Sequence, residues 1–208
     1  MPKVAILVDG GFFSKAVGDA LGTRWPFAEV IHRNAMLLKA PDEELLRIFF
    51  YDSRPYRGRQ TNPVSRQVVD YSVSPAAAAR DRFLKDLGQM DYVALRCGEV
   101  KPRGWILKDS YVSALSTGAP RPPTAADYEV VFEQKGVDMR IGIDVATLSL
   151  NRHVDRIVIA SNDTDLIPAF KLARRHGVQV VVPKVGSYTP HLQLVEDADF
   201  TRAITPVP

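Results

Sequence analysis

The run Lys3 to Val8 is short, apolar and rich in β-branched residues, and it stops abruptly at Asp9-Gly10-Gly11. Such a run reads as a buried strand that leaves into a tight turn. A second run of this kind, Arg156 to Ala160, stops at Ser161-Asn162-Asp163-Thr164-Asp165. Segments with helical spacing of apolar residues lie around them: Phe13 to Leu21, Phe27 to Leu38, Ala76 to Met90, Val137 to Leu150 and Asp165 to His176, the last closed by Gly177. Leu45 to Tyr51, Tyr92 to Gly98 and Val178 to Val182 read as further strands, and the closing segment His191 to Ile204 reads as one more helix. Strands separated by helices favour an α/β fold with a central parallel sheet flanked by helices.

The middle of the chain breaks this rhythm. Residues 53–75, with Pro55, Gly58, Pro63 and Pro75, are expected to be a long loop or a partly helical lid. Residues 99–131, with Pro102, Gly104, Pro120, Pro122 and Pro123, read as a hairpin-like excursion whose second arm is Tyr128 to Phe132. The expectation is one domain over 1–208 with loop-rich insertions at about 53–75 and 99–131.

With 46% hydrophobic and 25% charged residues in 208, wholesale disorder is excluded. No apolar stretch reaches spanning length, so no membrane partner is expected. Cys97 is the single cysteine, which excludes an internal disulfide and a cysteine-rich metal site and agrees with a cytoplasmic location. The four histidines lack ligand spacing, so any metal must be held by oxygen. A formal charge of +3 permits a polyanionic partner only where the cations cluster.

The acids are placed unevenly. Asp9 follows the first strand, and Asp163 and Asp165 follow the strand Arg156 to Ala160. Ligands of open parallel sheets bind at the carboxyl ends of the strands, so these acids meet if the two strands are neighbours. Asp138 opens the helix that precedes the second of those strands, which brings it to the same edge. Asp144, six residues on, lies about 9 Å further down the helix axis. Crowded carboxylates repel and need compensation, and hard divalent cations supply it best. Oxygen-only ligation points to Mg²⁺ or Mn²⁺. Taken singly, each acid could instead be a turn former or a helix cap, Asp163 above all.

Four motifs in order, Val8-Asp9-Gly10-Gly11, Lys135-Gly136-Val137-Asp138 with Asp144, Ser161-Asn162-Asp163-Thr164-Asp165-Leu166-Ile167-Pro168, and Leu192 through Ala198-Asp199-Phe200, resemble the NYN domain family. The likeness is to the LabA-like (DUF88) branch of the PIN-like nucleases. It implies a PIN-like, Rossmann-like parallel sheet and hydrolysis of RNA phosphodiester bonds with Mg²⁺ or Mn²⁺. It further implies Asp9, Asp138, Asp163 and Asp165 as the catalytic and metal-binding set, with Asp144 as an accessory or structural acid; Ser161 and Asn162 are further accessory candidates, and Lys135, three residues before Asp138, could place an ammonium at the metal edge or be a surface lysine. Many relatives carry Asn shortly after the first Asp, where this chain has Gly11-Phe12-Phe13, and many read Gly-Asp-x-Asp-Phe where it has Asn162-Asp163-Thr164-Asp165-Leu166.

Arg54, Arg57, Arg59 and Arg66, interleaved with Tyr51, Tyr56 and Tyr71, form a candidate surface for single-stranded RNA, because guanidinium groups pair with phosphates and rings stack on unpaired bases; Tyr56 is the aromatic singled out. A solvated loop or an interface between copies in a homo-oligomer would use the same composition. The leading reading is a metal-dependent endoribonuclease. The alternatives are a non-catalytic RNA-binding or regulatory module and, more weakly, a small-molecule phosphohydrolase.

Overall fold

The structure, a computed structural model, describes residues 1–118 and 121–208. In chain order its elements are β1 (Lys3–Asp9), α1 (Gly10–Leu21), α2 (Ala28–Met36), β2 (Glu44–Arg54), β3 (Arg59–Thr61), β4 (Val68–Asp70), α3 (Pro75–Gly88), β5 (Val93–Leu107), α4 (Asp109–Ser116), β6 (Tyr128–Lys135), α5 (Val137–Leu150), β7 (Arg156–Ala160), α6 (Ile167–Arg175), β8 (Gln179–Val185), α7 (Leu192–Glu196) and β9 (Phe200–Ile204). They divide into two compact units. The first comprises Met1–Asp52, Phe83–Cys97 and Gly136–Pro208, and the second Ser53–Arg82 and Gly98–Lys135.

The first unit is built on the strand order β5-β2-β1-β7-β8-β9. β1 pairs in parallel with β2, from Lys3↔Glu44 to Asp9↔Tyr51, and with β7, from Val4↔Arg156 to Val8↔Ala160. β7 with β8 and β8 with β9 are parallel as well. Side chains alternate across a strand, so an apolar run in the middle of a sheet must be covered on both faces. Ala5, Leu7, Ile157 and Ile159 pack against Ile141, Val145 and Leu148 of α5 and Phe170 of α6. Val4, Ile6, Val8 and Val158 pack against Phe13 and Val17 of α1 and Ile31 and Ala35 of α2. Each large side chain removed from water in this way contributes about 1.5–3 kcal/mol.

A buried carboxylate ties the start of β2 to β7 and β9. Glu43, 1% exposed, accepts hydrogen bonds from Arg156 Nη1 at 2.6 Å and from Arg202 Nη2 at 2.7 Å. Burial alone would raise its pKa, but the two guanidinium groups and the Ala40 N–H outweigh that and hold it at about 2.

Two expectations are corrected and a third is met with added detail. The segment 53–75 contains the antiparallel hairpin β3/β4, followed by a short 3₁₀ turn at Tyr71–Val73. Asn62 closes the hairpin, its Oδ1 accepting from Val64 and Ser65 N–H at 2.9 and 3.0 Å, which gives the corner at Pro63 a built turn rather than a free loop. In 99–131 the hairpin is present, but β5 runs unbroken through Pro102 and Gly104 with a register shift there, and α4 occupies the excursion. Pro120 of that excursion lies outside the described residues. The closing segment is a single turn of helix, α7, and then a strand. Asp199 exchanges bonds with Val180, its N–H donating to the carbonyl at 2.9 Å and its Oδ2 accepting from the amide at 2.7 Å, so the chain enters β9 beside β8 instead of continuing as helix.

The second unit holds β3/β4, the start of α3, the outer part of β5 paired with β6, and α4. Tyr111 is 6% exposed, donates its hydroxyl to the Arg121 carbonyl at 2.5 Å and lies under the Arg121 guanidinium at 4.9 Å. Arg121 in turn grips Asp127 with both terminal nitrogens, at 2.6 and 2.5 Å.

Candidate active site

Asp9 ends β1 and caps α1 without any intervening loop. Its Oδ1 accepts from the Gly11 and Phe12 amides at 3.0 and 3.2 Å. This immediate turn from strand to helix needs glycine at position 10, where a Cβ would stand 2.5 Å from the Phe50 ring and 2.6 Å from Asp52 Oδ2. The other carboxylate oxygen of Asp9 accepts from Ser161 Oγ at 3.3 Å, across the β1–β7 pairing. Ser161, 3% exposed, also accepts the Asp163 N–H at 3.2 Å. Asp163 Oδ1 then accepts from the Asp165 amide at 2.9 Å and caps the short 3₁₀ turn that leads into α6. One serine hydroxyl thus links the turn after β1 to the turn after β7.

Asp138 sits in the first turn of α5, behind Gly136, whose φ of 77° is the left-handed conformation that favours glycine. Electrostatics connect the four acids. Burial pushes the Asp9 carboxyl up, its amide and Ser161 hydrogen bonds pull it back, and Asp138 pushes it up further. Lost hydration raises Asp138, and the charges of Asp163 and Asp165 add to the rise. None of the four has an ion pair among the described residues. Among the described residues, no ion pair offsets the like charges at this edge.

Asp144 does other work. It accepts the Tyr51 hydroxyl at 2.8 Å and Arg96 Nε at 3.1 Å, which fastens α5 to β2 and β5. Arg96 also stacks 5.2 Å over Phe49, and burial with the Asp144 charge drives the Tyr51 hydroxyl far above its ordinary range. Asn162 Oδ1 accepts the His191 amide at 2.9 Å and anchors the entry to α7. Lys135 closes β6 in the second unit, where its Nζ pairs with Glu133 at 2.7 Å. Asp52 is an acid that the sequence reading passes over, yet it is 2% exposed and follows the residue paired with Asp9. Its signal is the same as that of Asp9: an apolar run, Ile48 to Tyr51, stopped by aspartate.

The second-unit residues divide by engagement. Arg57 is spent, donating from Nε and Nη2 to Asp81 and from Nη1 to the Ser72 carbonyl at 2.7 Å. Arg59 pairs with Asp70 only through Nε, at 2.9 Å, and its side chain is 74% exposed. Arg54 and Arg66 are exposed, and Tyr56 packs against Tyr71 and Phe132.

Mg²⁺ and Mn²⁺ prefer carboxylate oxygen, and four aspartates without a cationic partner are the donor chemistry such an ion takes. Among the described residues no three His, Cys, Asp or Glu side chains stand closely enough to enclose an ion. The set therefore suits an ion that would keep much of its own water, not a closed protein cage.

A solved structure of a protein of unknown function from Vibrio parahaemolyticus has the same α/β fold, with a TM-score of 0.51 and 18% identity over 98% of this chain and 93% of that one. No curated protein matches the chain in sequence. No helix among the described residues is long and apolar enough to cross a membrane. The NYN domain model matches residues 109–205, a span that contains Asp138, Asp163 and Asp165 but not Asp9.

Proposed function

We propose that the chain is a ribonuclease that hydrolyses phosphodiester bonds of single-stranded RNA at the edge formed by Asp9, Asp138, Asp163 and Asp165. The NYN domain belongs to the PIN-like nucleases, which supports RNA hydrolysis as the reaction class. The LabA-like branch is the nearest reading of its motifs, and a single cysteine suits the cytoplasm. The observation that carries the proposal is the mutual repulsion among these acids, kept at the carboxyl edge of a parallel sheet with no ion pair among the described residues to relieve it.

The four aspartates are the residues that would hold Mg²⁺ or Mn²⁺. Such an ion, when bound, supplies positive charge that acidifies water and stabilises charge developing on the phosphate. The chain's own contribution is rigidity. Ser161 fixes Asp9 Oδ2 and, through the Asp163 amide, the turn that carries Asp163 and Asp165. Asp138 rides on the first turn of α5, whose register is held by the clasp of Asp144 with Tyr51 and Arg96.

A second reading, an RNA-binding or regulatory module without cleavage, is favoured by one observation. Asp9 and Asp163 each commit an oxygen to a backbone cap, as purely structural aspartates do. Labelled single-stranded RNA incubated with the purified protein in Mg²⁺, Mn²⁺ or chelator separates the two. Metal-dependent cleavage that disappears in Asp138→Asn is expected. Tight binding without cleavage in either metal would select the second reading.

A further inference from the structure

Three rings from two distant stretches of sequence meet in the second unit. Tyr56 and Tyr71 have centroids 5.8 Å apart, Tyr56 and Phe132 are 5.4 Å apart, and Tyr71 and Phe132 are 5.1 Å apart at 82°. Packing has not closed this cluster: Phe132 is 36% exposed, and both tyrosines are partly open to solvent. The sequence places Tyr56 and Tyr71 among the arginines but not Phe132, which reaches the cluster only through the pairing of β6 with β5.

Arg59 stands beside these rings. It pairs with Asp70 across β3/β4, its carbonyl accepts the Tyr56 hydroxyl at 3.4 Å, and the Tyr71 amide donates to neighbouring Gly58 at 3.0 Å. Asp70 holds Arg59 by Nε alone, so the two terminal nitrogens have no hydrogen-bond partner among the described residues. Both oxygens of Asp70 are occupied, one by Arg59 and the other by the Ser72 amide and hydroxyl at 2.9 and 2.5 Å. The arginine is therefore oriented while its outward fork stays available to a phosphate. The field favours a polyanion here: Ser53–Arg82 contains six arginines, no lysine and two aspartates, a surplus of four positive charges where the whole chain has +3.

We propose that Tyr56, Tyr71 and Phe132, together with the outer guanidinium nitrogens of Arg59, form a subsite for an unpaired nucleotide, the rings stacking on its base and Arg59 pairing with its phosphate. The inference rests on RNA being the ligand of the chain, and it makes that ligand single-stranded, since a paired base cannot reach the rings. It also separates Arg59 from Arg57, whose nitrogens are consumed within the unit.

The test uses the full chain in chelator with three probes: a labelled single-stranded oligouridylate, the same strand paired with oligoadenylate, and inorganic polyphosphate. Wild-type protein is expected to prefer the single strand to the duplex. Phe132→Leu should weaken single-strand binding about five- to hundredfold with polyphosphate binding unchanged, and Arg59→Gln should weaken both. Equal affinity of wild type and Phe132→Leu for the single strand, at unchanged melting temperature, overturns the subsite. So does a loss that is equal for RNA and polyphosphate. Should Phe132→Leu not fold, Phe132→Trp carries the test, because emission in excess of wild type should be quenched by the single strand and not by polyphosphate; unquenched emission overturns it. Failure of the RNA reading itself looks different, since wild-type protein would then bind neither RNA.

Discussion

In the first unit Val4 to Val8 are buried between two layers of aliphatic and aromatic side chains, with Phe13, Ile31, Ile141 and Phe170 each at most 1% exposed. In the second, Ala77 and Tyr111 are the only buried hydrophobic residues among those described, and the polar Ser53, Asn62 and Asp127 are buried as well. The first unit stands on removal of apolar surface from water. The second stands on local polar closures, Asn62 over its turn and Arg121 gripping Asp127, and on three half-open rings. Charge divides in the same way. The surplus of four in Ser53–Arg82 exceeds the +3 of the whole chain, so the remainder, which includes the acidic edge, is net negative. A rigid apolar scaffold can hold repelling carboxylates in register, because their cost is small against the core. A thin polar unit cannot carry that strain, but it leaves cations and rings exposed for a ligand.

The largest expected effect lies at the acidic edge. Asp138→Asn should reduce metal-dependent RNA cleavage at least about a hundredfold. The same change removes a charge that repels Asp9, Asp163 and Asp165, so the metal-free protein should melt at the same temperature or higher. A clear fall in melting temperature in chelator would make Asp138 a structural residue and level the contrast between the units.

Next in size is the core. Phe13→Ala should cost about 3–5 kcal/mol in urea unfolding, since Phe13 is completely buried. Val73→Ala, at a side chain 78% exposed in the second unit, should stay within about 0.5 kcal/mol. Similar losses from the two would show that the second unit has an apolar core of its own.

The pH dependence sharpens the comparison within the first unit, where two sets of carboxylates act with opposite sign. Glu43 has its pKa lowered to about 2 from an ordinary 4.5. Its stabilisation is full above the ordinary value and is lost as pH falls through 2, up to about 3 kcal/mol from a shift of this size. Asp9 and Asp138 are raised, so their ionisation weakens the metal-free fold at neutral pH, and protonating them as pH falls recovers that loss. Urea midpoints measured downward from pH 7 should hold or rise slightly before they collapse below pH 4.5. In Glu43→Gln the late collapse should be shallower, from a lower starting stability, because Arg156 and Arg202 lose their buried counter-charge.

Much of the first unit was legible because burial on both faces of a sheet writes itself into sequence. Val137 to Leu150 and Arg156 to Ala160 were read with the bounds of α5 and β7. β9 was not legible, since Phe200 to Ile204 mixes exposed and buried positions and gains its strand identity from the Asp199–Val180 exchange, a contact between distant residues. The hairpin β3/β4 escaped for a related reason: its positions are mostly exposed, so no alternation of apolar and polar residues marks it. At the site, sequence placed Asp9 and Asp163 after their strands but could not show that Ser161 links them, nor that Asp144 turns to Tyr51 and Arg96. Motif spacing records where a side chain begins, whereas its partner depends on register.

The smallest effect is expected between two neighbouring arginines. Arg57 spends Nε and Nη2 on Asp81 and Nη1 on the Ser72 carbonyl, while the outer nitrogens of Arg59 have no partner among the described residues. Arg57→Gln should therefore act on the second unit alone. A partly exposed ion pair is worth about 0.2–1 kcal/mol, so overall melting should barely move. Faster amide exchange or proteolytic nicking around Ser72 and Asp81 is the sensitive readout. The slope of RNA affinity against salt should stay near wild type in Arg57→Gln and flatten by about one released counterion in Arg59→Gln. Equal flattening in both variants would mean that Arg57 exchanges Asp81 for phosphate on binding, and the second unit would then be a surface remade by its ligand rather than one built in advance.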